Sequence, residues 1–312
     1  METITQINKA LLVRLYQLEK FIGNTPLKPI ETVFKHPKVS ILAKLEWNQL
    51  GGSVKARPAF NIIKQAILSG QLDENRQLLD ASSGNTAIAY AHIAAALGLS
   101  LTIVLPENAS KERKLILKSL GTKLIFTSPY GGTDESQEKA LEISLKHPHQ
   151  YYYADQYSNP NNYLAHIDGT AKEIWKETNG TVTHFVVGLG TTGTFRGTTE
   201  GLKVFNPNLK AIALQPNSPM HGMEGWKHLE TAKVPTIYKN TLADQFIEVD
   251  TEKAYQLIKD VAQKEGLLIS PSAAANLLGA IEVASSLDSG TVVTVFADNA
   301  DKYGDVLEFI FK

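Results

Sequence analysis

The chain has 312 residues, 43% of them hydrophobic and 20% charged, with a formal net charge of −1. This composition suits a soluble globule long enough for two domains, and with no basic or acidic tail it gives no support to a nucleic-acid partner or an electrostatic membrane anchor. The absence of cysteine excludes disulfides, thiolate metal sites and a cysteine nucleophile, and without an opening basic-then-apolar segment cytoplasmic residence is expected.

Met1 to Glu19 reads as a short amphipathic helix, Ile22 to Leu27 as a turn and Ile41 to Leu45 as a strand. Gly51-Gly52-Ser53-Val54-Lys55 follows as a glycine-rich loop, with an apolar helix from Ala59 to Leu68. From there strands and helices alternate. Strands are expected at 78–80, 101–105, 124–127, 151–154, 184–187, 209–214 and 291–296. Helices are expected at 86–97, 111–120, 134–145, 167–178, 192–204, 251–265 and 273–285. Such alternation predicts an α/β protein with mostly parallel sheets covered by helices. Ala87 to Leu105 has the length and apolarity of a membrane span. Its alanines, His92 and Gly98 instead divide it into a buried helix and a buried strand. His147-Pro148-His149 follows a helix with no third ligand nearby and reads as a solvated turn, not a metal site.

Ligands of open parallel sheets bind beyond the carboxyl ends of the strands, so the strand-to-helix turns carry most weight. Lys55 stands where a loop becomes a helix, a position that suits anions better than cations. Positive charge there lowers an amine's proton affinity and suits a Schiff-base lysine. Ala81-Ser82-Ser83-Gly84-Asn85-Thr86 places hydroxyls, an amide and backbone N–H groups at a helix start. That set receives a carboxylate or phosphate, and it is richer than one N-cap requires. Gly188-Leu189-Gly190-Thr191-Thr192-Gly193-Thr194 makes a phosphate cradle. It fits the dinucleotide pattern G-x-G-x-x-G, but the next strand ends in Gln215-Pro216 with no acid for a ribose, so a monophosphate-bearing cofactor fits better. At Ser270-Pro271-Ser272-Ala273 a serine caps an alanine-rich helix. A reactive lysine, a phosphate cradle and a carboxylate-binding turn together suggest pyridoxal 5′-phosphate (PLP) acting on an amino acid.

The chain resembles the O-acetylserine sulfhydrylases (cysteine synthases), in the tryptophan-synthase-β-like fold type of PLP enzymes. The resemblance rests on Gly23-Asn24-Thr25-Pro26-Leu27, Gly52-Ser53-Val54-Lys55, Ser83-Gly84-Asn85-Thr86, Pro106-Glu107-Asn108, Asp155-Gln156-Tyr157-Ser158-Asn159-Pro160, Gly190-Thr191-Thr192-Gly193-Thr194 and Glu265-Gly266-Leu267-Leu268. The B-type is the nearer variety, because its phosphate loop also reads Gly-Thr-Thr-Gly-Thr. The resemblance implies that Lys55 forms the internal aldimine and later acts as acid and base. It implies that Asn85 bonds the cofactor's ring oxygen, that Gly190, Thr191, Thr192, Gly193 and Thr194 hold its phosphate, and that Ser272 faces its pyridine nitrogen. Ser82, Ser83, Thr86 and Gln156 would bind the substrate carboxylate. The implied reaction is β-replacement: acetate leaves O-acetylserine, an aminoacrylate forms, and sulfide adds to give cysteine. Two domains are also implied, a smaller substrate-binding one over residues 39–149 and a larger phosphate-binding one from 1–38 and 150–312, with PLP in the cleft between them. A homodimer is expected, with serine acetyltransferase a further partner of the family.

The chain departs from the family at several points. Ser82 replaces a usual Thr, Thr170-Ala171-Lys172-Glu173 replaces Thr-Gly-Pro-Glu, and Ser270-Pro271-Ser272-Ala273-Ala274 replaces Gly-Ile-Ser-Ser-Gly-Ala. Met220 to His228 stands where the family has a gating loop over the substrate, and Glu230 aligns with the arginine of phosphoserine-using relatives. A carboxylate there would repel a phosphate, so another activated serine or nucleophile stays open, as do cystathionine-β-synthase-like, dehydratase and non-catalytic readings. Thr86 stands where dehydratases of this fold carry His.

Overall fold

The computed structural model describes residues 8–312. They fall into two compact units, one comprising the stretch up to Ile22 with Lys55–Asn162, the other Gly23–Val54 with Tyr163–Lys312. The part of the expected first helix before Asn8 lies outside the described residues. From α1 (Lys9–Glu19), Leu11, Leu15 and Leu18 are buried, at the i, i+4, i+7 spacing of one helix face.

The first unit carries a four-stranded sheet in the order β5-β4-β3-β6 (Lys123–Thr127, Leu101–Pro106, Gln77–Ala81, Tyr151–Tyr153), parallel throughout. Its helices are α2 (Ala56–Leu68), α3 (Asn85–Leu97), α4 (Lys111–Ser119) and α5 (Gly132–Lys146). Side chains alternate across β3: Leu79 and Ala81 join Val104, Ala140 and Tyr151 in one core cluster, so Leu78 and Asp80 point to the opposite face. The apolar stretch 87–105 is the predicted helix and strand, separated by Gly98, whose φ of 74° ends α3 in the left-handed region. Among the described residues no helix is long and apolar enough to cross a membrane.

The second unit carries a six-stranded sheet in the order β1-β2-β10-β7-β8-β9 (Leu27–Ile30, Val39–Leu45, Gly290–Phe296, His184–Gly188, Lys210–Pro216, Gln245–Val249). Only β1 is antiparallel. Period-two alternation divides its side chains. Ile41, Ala43, Val186, Ile212, Leu214, Val292 and Phe296 pack with α9 (Thr251–Glu265) and α10 (Pro271–Ser285). Phe185, Val187, Ala211, Ala213, Val293 and Val295 pack with Ile174, Phe195 and Leu202. Those last three belong to α7 (Lys172–Glu177) and α8 (Gly193–Phe205).

Four features correct the sequence reading. The units divide the chain elsewhere than at 39 and 149. Strand β2 pairs with β10 from Val39↔Gly290 to Leu45↔Phe296, which fixes it in the large sheet, while α1 belongs to the smaller unit. Strands β1 and β9 and a final helix α11 (Gly304–Phe311) carry no clear periodic signal, because edge strands and terminal helices bury only part of their side chains. The helix expected from Ile167 starts as α6 (Asn161–Ala165), passes through a π-helical turn at His166–Ala171 and continues as α7. Finally, α10 begins at Pro271 and is capped by Ser270, whose hydroxyl accepts from Ala273 N at 3.2 Å; Ser272 therefore sits inside the first turn.

One buried cation ties the second unit together. The Lys44 side chain is fully buried on β2. Its ammonium meets Glu173 at 2.9 Å and Glu177 at 2.6 Å and donates to the Thr25 carbonyl. The Thr25 hydroxyl donates to the buried Glu46 at 2.7 Å, and Glu173 also accepts from Asn24 N at 3.0 Å. Strand β2, the Gly23–Thr25 turn and α7 thus share one charge network. Removing Lys44 leaves two carboxylates without their cation, so Lys44→Met is expected to destabilise the protein by about 3 kcal/mol, read as a lower urea midpoint at unchanged m-value.

Candidate active site

Lys55 caps α2 without a side-chain capping bond. The loop before it is shaped by Gly51 and Gly52, both at positive φ (80° and 62°). It is anchored by Val54 N donating to Ala297 O at 2.8 Å and Lys302 Nζ donating to Gly52 O at 3.2 Å. Lys302 in turn approaches the fully buried Asp298, which accepts from the Tyr303 hydroxyl at 2.8 Å. The segment after β10 therefore fixes the backbone that presents Lys55.

In the first unit the structure brings Ser82, Ser83, Asn85, Thr86 and Gln156 together at the C-terminal end of β3. Helix α3 starts at Asn85, and its cap, Gly84, offers no side chain. The buried Ser82 hydroxyl accepts instead from Gly84 N at 3.2 Å and Ala87 N at 3.3 Å. Both its lone pairs are used, and its own proton is left to donate. Gln156 is clamped at three points: its side-chain oxygen accepts from Thr86 at 2.7 Å, its amide nitrogen donates to Ala81 O at 3.0 Å, and its carbonyl accepts from Asn162 at 2.6 Å. Thr86 therefore spends its proton on Gln156. Gln156 retains one amide proton for a ligand. Ser83 and Asn85 are half-buried in the same turn.

In the second unit the Gly188–Thr194 loop joins β7 to α8 under close constraint. A Cβ at Gly190 would stand 2.0 Å from the Gly225 carbonyl oxygen, and one at Gly188 would stand 1.9 Å from the Trp226 ring. Lys227 N donates to Leu189 O at 2.7 Å, and Met223 and Trp226 are buried in the sheet's core. The segment expected to gate the substrate thus packs its buried side against the phosphate loop, while Glu224 and Glu230 remain exposed. Ser272 is buried at the head of α10, 3.2 Å from the Ser270 hydroxyl. One turn on, Asn276 accepts from Gly188 N at 2.7 Å and donates to Val295 O at 2.7 Å, locking α10 to the loop.

Thr192 is the most informative residue of this loop. It caps α8 in the left-handed region, φ 69°, which a β-branched residue adopts only under constraint. It is buried, and its hydroxyl has no hydrogen-bond partner among the described residues. The first turn of α8 holds no acidic side chain. A helix N-terminus with an orphaned buried hydroxyl at its cap suits a phosphate, so the residues present fit the cofactor expected from the sequence.

Beneath the loop lies a residue that the sequence reading missed. His166 is fully buried in the π-helical turn, with Nδ1 2.8 Å from Thr170 Oγ1 and Nε2 3.2 Å from Thr194 Oγ1. The two threonine hydroxyls take complementary donor and acceptor roles on the two ring nitrogens. Helix α8 lies close against α6 and this turn: a Cβ at Gly197 would come within 2.0 Å of Tyr163 O, and one at Gly201 within 2.5 Å of Ala171 Cβ. Neither His166 nor Asn276 carries a sequence signal beyond its i+4 spacing to Thr170 or from Ser272.

The family model described as pyridoxal-phosphate dependent enzyme matches residues 18–298. A cysteine synthase of Aquifex aeolicus is 43% identical over 291 residues, covering 91% of this chain and 89% of that protein. Cysteine synthase B of Escherichia coli is 33% identical, covering 92% and 93%. An O-acetylserine dependent cystathionine beta-synthase of Bacillus subtilis is also 33% identical, covering 92% and 95%. A crystal structure of cysteine synthase from Entamoeba histolytica superposes with a TM-score of 0.88 at 31% identity, covering 93% of this chain and 90% of that one.

Replacing Thr192 by glycine removes both the backbone strain and the hydroxyl. Thr192→Gly is expected to leave the apoprotein at least as stable, by up to about 1 kcal/mol. It should weaken PLP binding about tenfold, the effect of one charge-assisted hydrogen bond. Thermal unfolding without cofactor and a fluorescence titration with PLP check the two effects separately.

Proposed function

The chain belongs to the pyridoxal-phosphate dependent enzyme family, and we propose that it catalyses β-replacement on O-acetyl-L-serine with sulfide, giving L-cysteine and acetate. The observation that carries this reading is the joint presence of Lys55 at the head of α2, the fully clamped Gln156 beside the Ser82–Thr86 turn, and the orphaned Thr192 hydroxyl in the Gly190–Thr194 loop. The similarity to cysteine synthases over most of both chains points the same way.

When bound, PLP supplies the electron sink that lets the bond to the β-substituent break. Lys55 Nζ would anchor the cofactor covalently and would serve as the base that takes the substrate's α-proton. Thr192 Oγ1, the amides at the start of α8 and the Thr194 hydroxyl held by His166 receive the phosphate. Asn85 would bond the ring oxygen. Ser272 would meet the pyridine nitrogen; a neutral hydroxyl leaves that nitrogen unprotonated and favours elimination over transamination. Ser82 Oγ, Ser83 and the free amide proton of Gln156 hold the substrate carboxylate, while Thr86 acts through Gln156 by fixing its amide.

The acceptor is the point at which relatives divide, since the Bacillus subtilis protein is named for cystathionine synthesis. Sulfide is favoured here because the phosphate loop and the carboxylate-binding turn match the sulfhydrylases, and the exposed Glu230 disfavours a phosphorylated serine.

The purified protein is expected to be yellow, to lose its visible band on adding O-acetylserine and to recover it on adding sulfide. Recovery with homocysteine alone would transfer the assignment to cystathionine synthesis, and a colourless protein unable to take up PLP would overturn it. Lys55→Ala should lower turnover by at least about a thousandfold, with PLP still bound non-covalently through the phosphate loop; full turnover in that variant would remove Lys55 from the mechanism.

A further inference from the structure

Directly beneath the carboxylate-binding turn lies a buried acid that the mechanism above does not use. Asp80 is 1% exposed and is the penultimate residue of β3. Its Oδ1 accepts from Ala81 N at 2.8 Å, and the backbone N–H of Gln156 lies near enough to favour the charged carboxylate. The two amides belong to the two segments that carry the proposed carboxylate ligands, Ser82 and Ser83 on one and Gln156 on the other. Its second oxygen, Oδ2, has no hydrogen-bond partner. The fully buried Tyr90 of α3 turns its hydroxyl toward the carboxylate, short of full hydrogen-bonding geometry but close enough to favour the charged form. Burying an acid with one full hydrogen bond and no cation beside it carries a free-energy cost.

The charges around Asp80 are of one sign. Asp155, at positive φ in the turn after β6, is the nearest acid, and Tyr90 of α3, Tyr152 and Tyr153 of β6 and Tyr157 after it are the other titratable groups coupled to it. No cation from these elements offsets it. Burial, opposed chiefly by the Ala81 amide and then by the Tyr90 hydroxyl, pushes the Asp80 carboxyl up to about 7. The tyrosines are pushed further up, chiefly by burial, and stay neutral.

We propose, on the reading of the site given above, that Asp80 is a positioning residue that makes substrate-carboxylate binding pH-dependent: neutral, it registers the Ser82–Thr86 turn against Gln156, and ionised, it repels the carboxylate held there. The sign follows directly. Below about pH 7 Asp80 is neutral; above it a further anion, added to Asp155, stands two residues behind Ser82. Two like charges roughly 7–10 Å apart in a partly buried site weaken binding about tenfold.

Propionate, a carboxylate without an amine and fully ionised above pH 6, reports on the cup without a titration of its own. Its inhibition constant against O-acetylserine turnover by the holoenzyme is expected to rise about tenfold from pH 6 to pH 8.5, and by less than twofold in Asp80→Asn. Tyr90→Phe, which removes the hydroxyl that lowers the Asp80 pKa, should keep the rise and move its midpoint to higher pH. An equal rise in the protein and in Asp80→Asn would overturn the proposal, as would an unmoved midpoint in Tyr90→Phe. Failure of the functional reading shows separately, as loss of the yellow chromophore or of its response to O-acetylserine in the unmutated protein.

Discussion

The constraint on which the second unit depends is backbone-to-backbone approach at the Gly188–Thr194 loop. Gly190 lies against the Gly225 carbonyl and Gly197 against the Tyr163 carbonyl, at distances that leave no space for a Cβ. With the loop pinned from both sides, Thr192 can be held at φ 69° with its hydroxyl turned inward, at a strain of about 1–3 kcal/mol. The π-helical turn at His166–Ala171 belongs to the same constraint. An extra residue in the helical turn lets α8 approach through Gly197 and places His166 under Thr194. Backbone strain, close packing and a buried histidine thus converge on one loop, the one proposed to receive the cofactor phosphate.

On the proposed function, the first unit has a different problem, which is to offer hydrogen-bond donors to a carboxylate from side chains held in place. Ser82 and Thr86 give their primary bonds to the protein. Ser82 accepts from two backbone amides, and Thr86 donates to Gln156. What remains for a ligand is one hydroxyl proton and one amide proton on side chains that cannot turn away. The buried Asp80 touches both segments of this arrangement through their amides. The second unit buries charge in a different way. Lys44 is fully buried yet met by two carboxylates and a carbonyl, so it braces the fold. No cation among the groups coupled to Asp80 offsets its burial.

Much of the site was legible in the sequence, because strand-to-helix turns with clustered Gly, Ser, Thr and Asn have few other uses. Lys55, the Ser82–Thr86 turn, Gln156, the Gly190–Thr194 loop and Ser272 all stand at such turns. The structure places each at an element boundary, within one unit or the other. What escaped were supporting residues. His166, Asn276, Asp80 and Tyr90 are ordinary interior positions by pattern, and only their neighbours give them a role. The domain boundaries also escaped, since nothing local to β2 says that it pairs with a strand some 250 residues later.

By itself the sequence determined the alternation of strands and helices, the parallel α/β class and the chemistry available at each turn, because these depend on local periodicity, capping and residue type. Only the tertiary structure decided which strands share a sheet, that the Met220–His228 segment braces the phosphate loop through Trp226 and Gly225, that Thr86 serves Gln156, and that Asp80 is buried without a countercharge. Those outcomes depend on contacts between residues far apart in the chain, and such contacts have no period or spacing by which a sequence can reveal them.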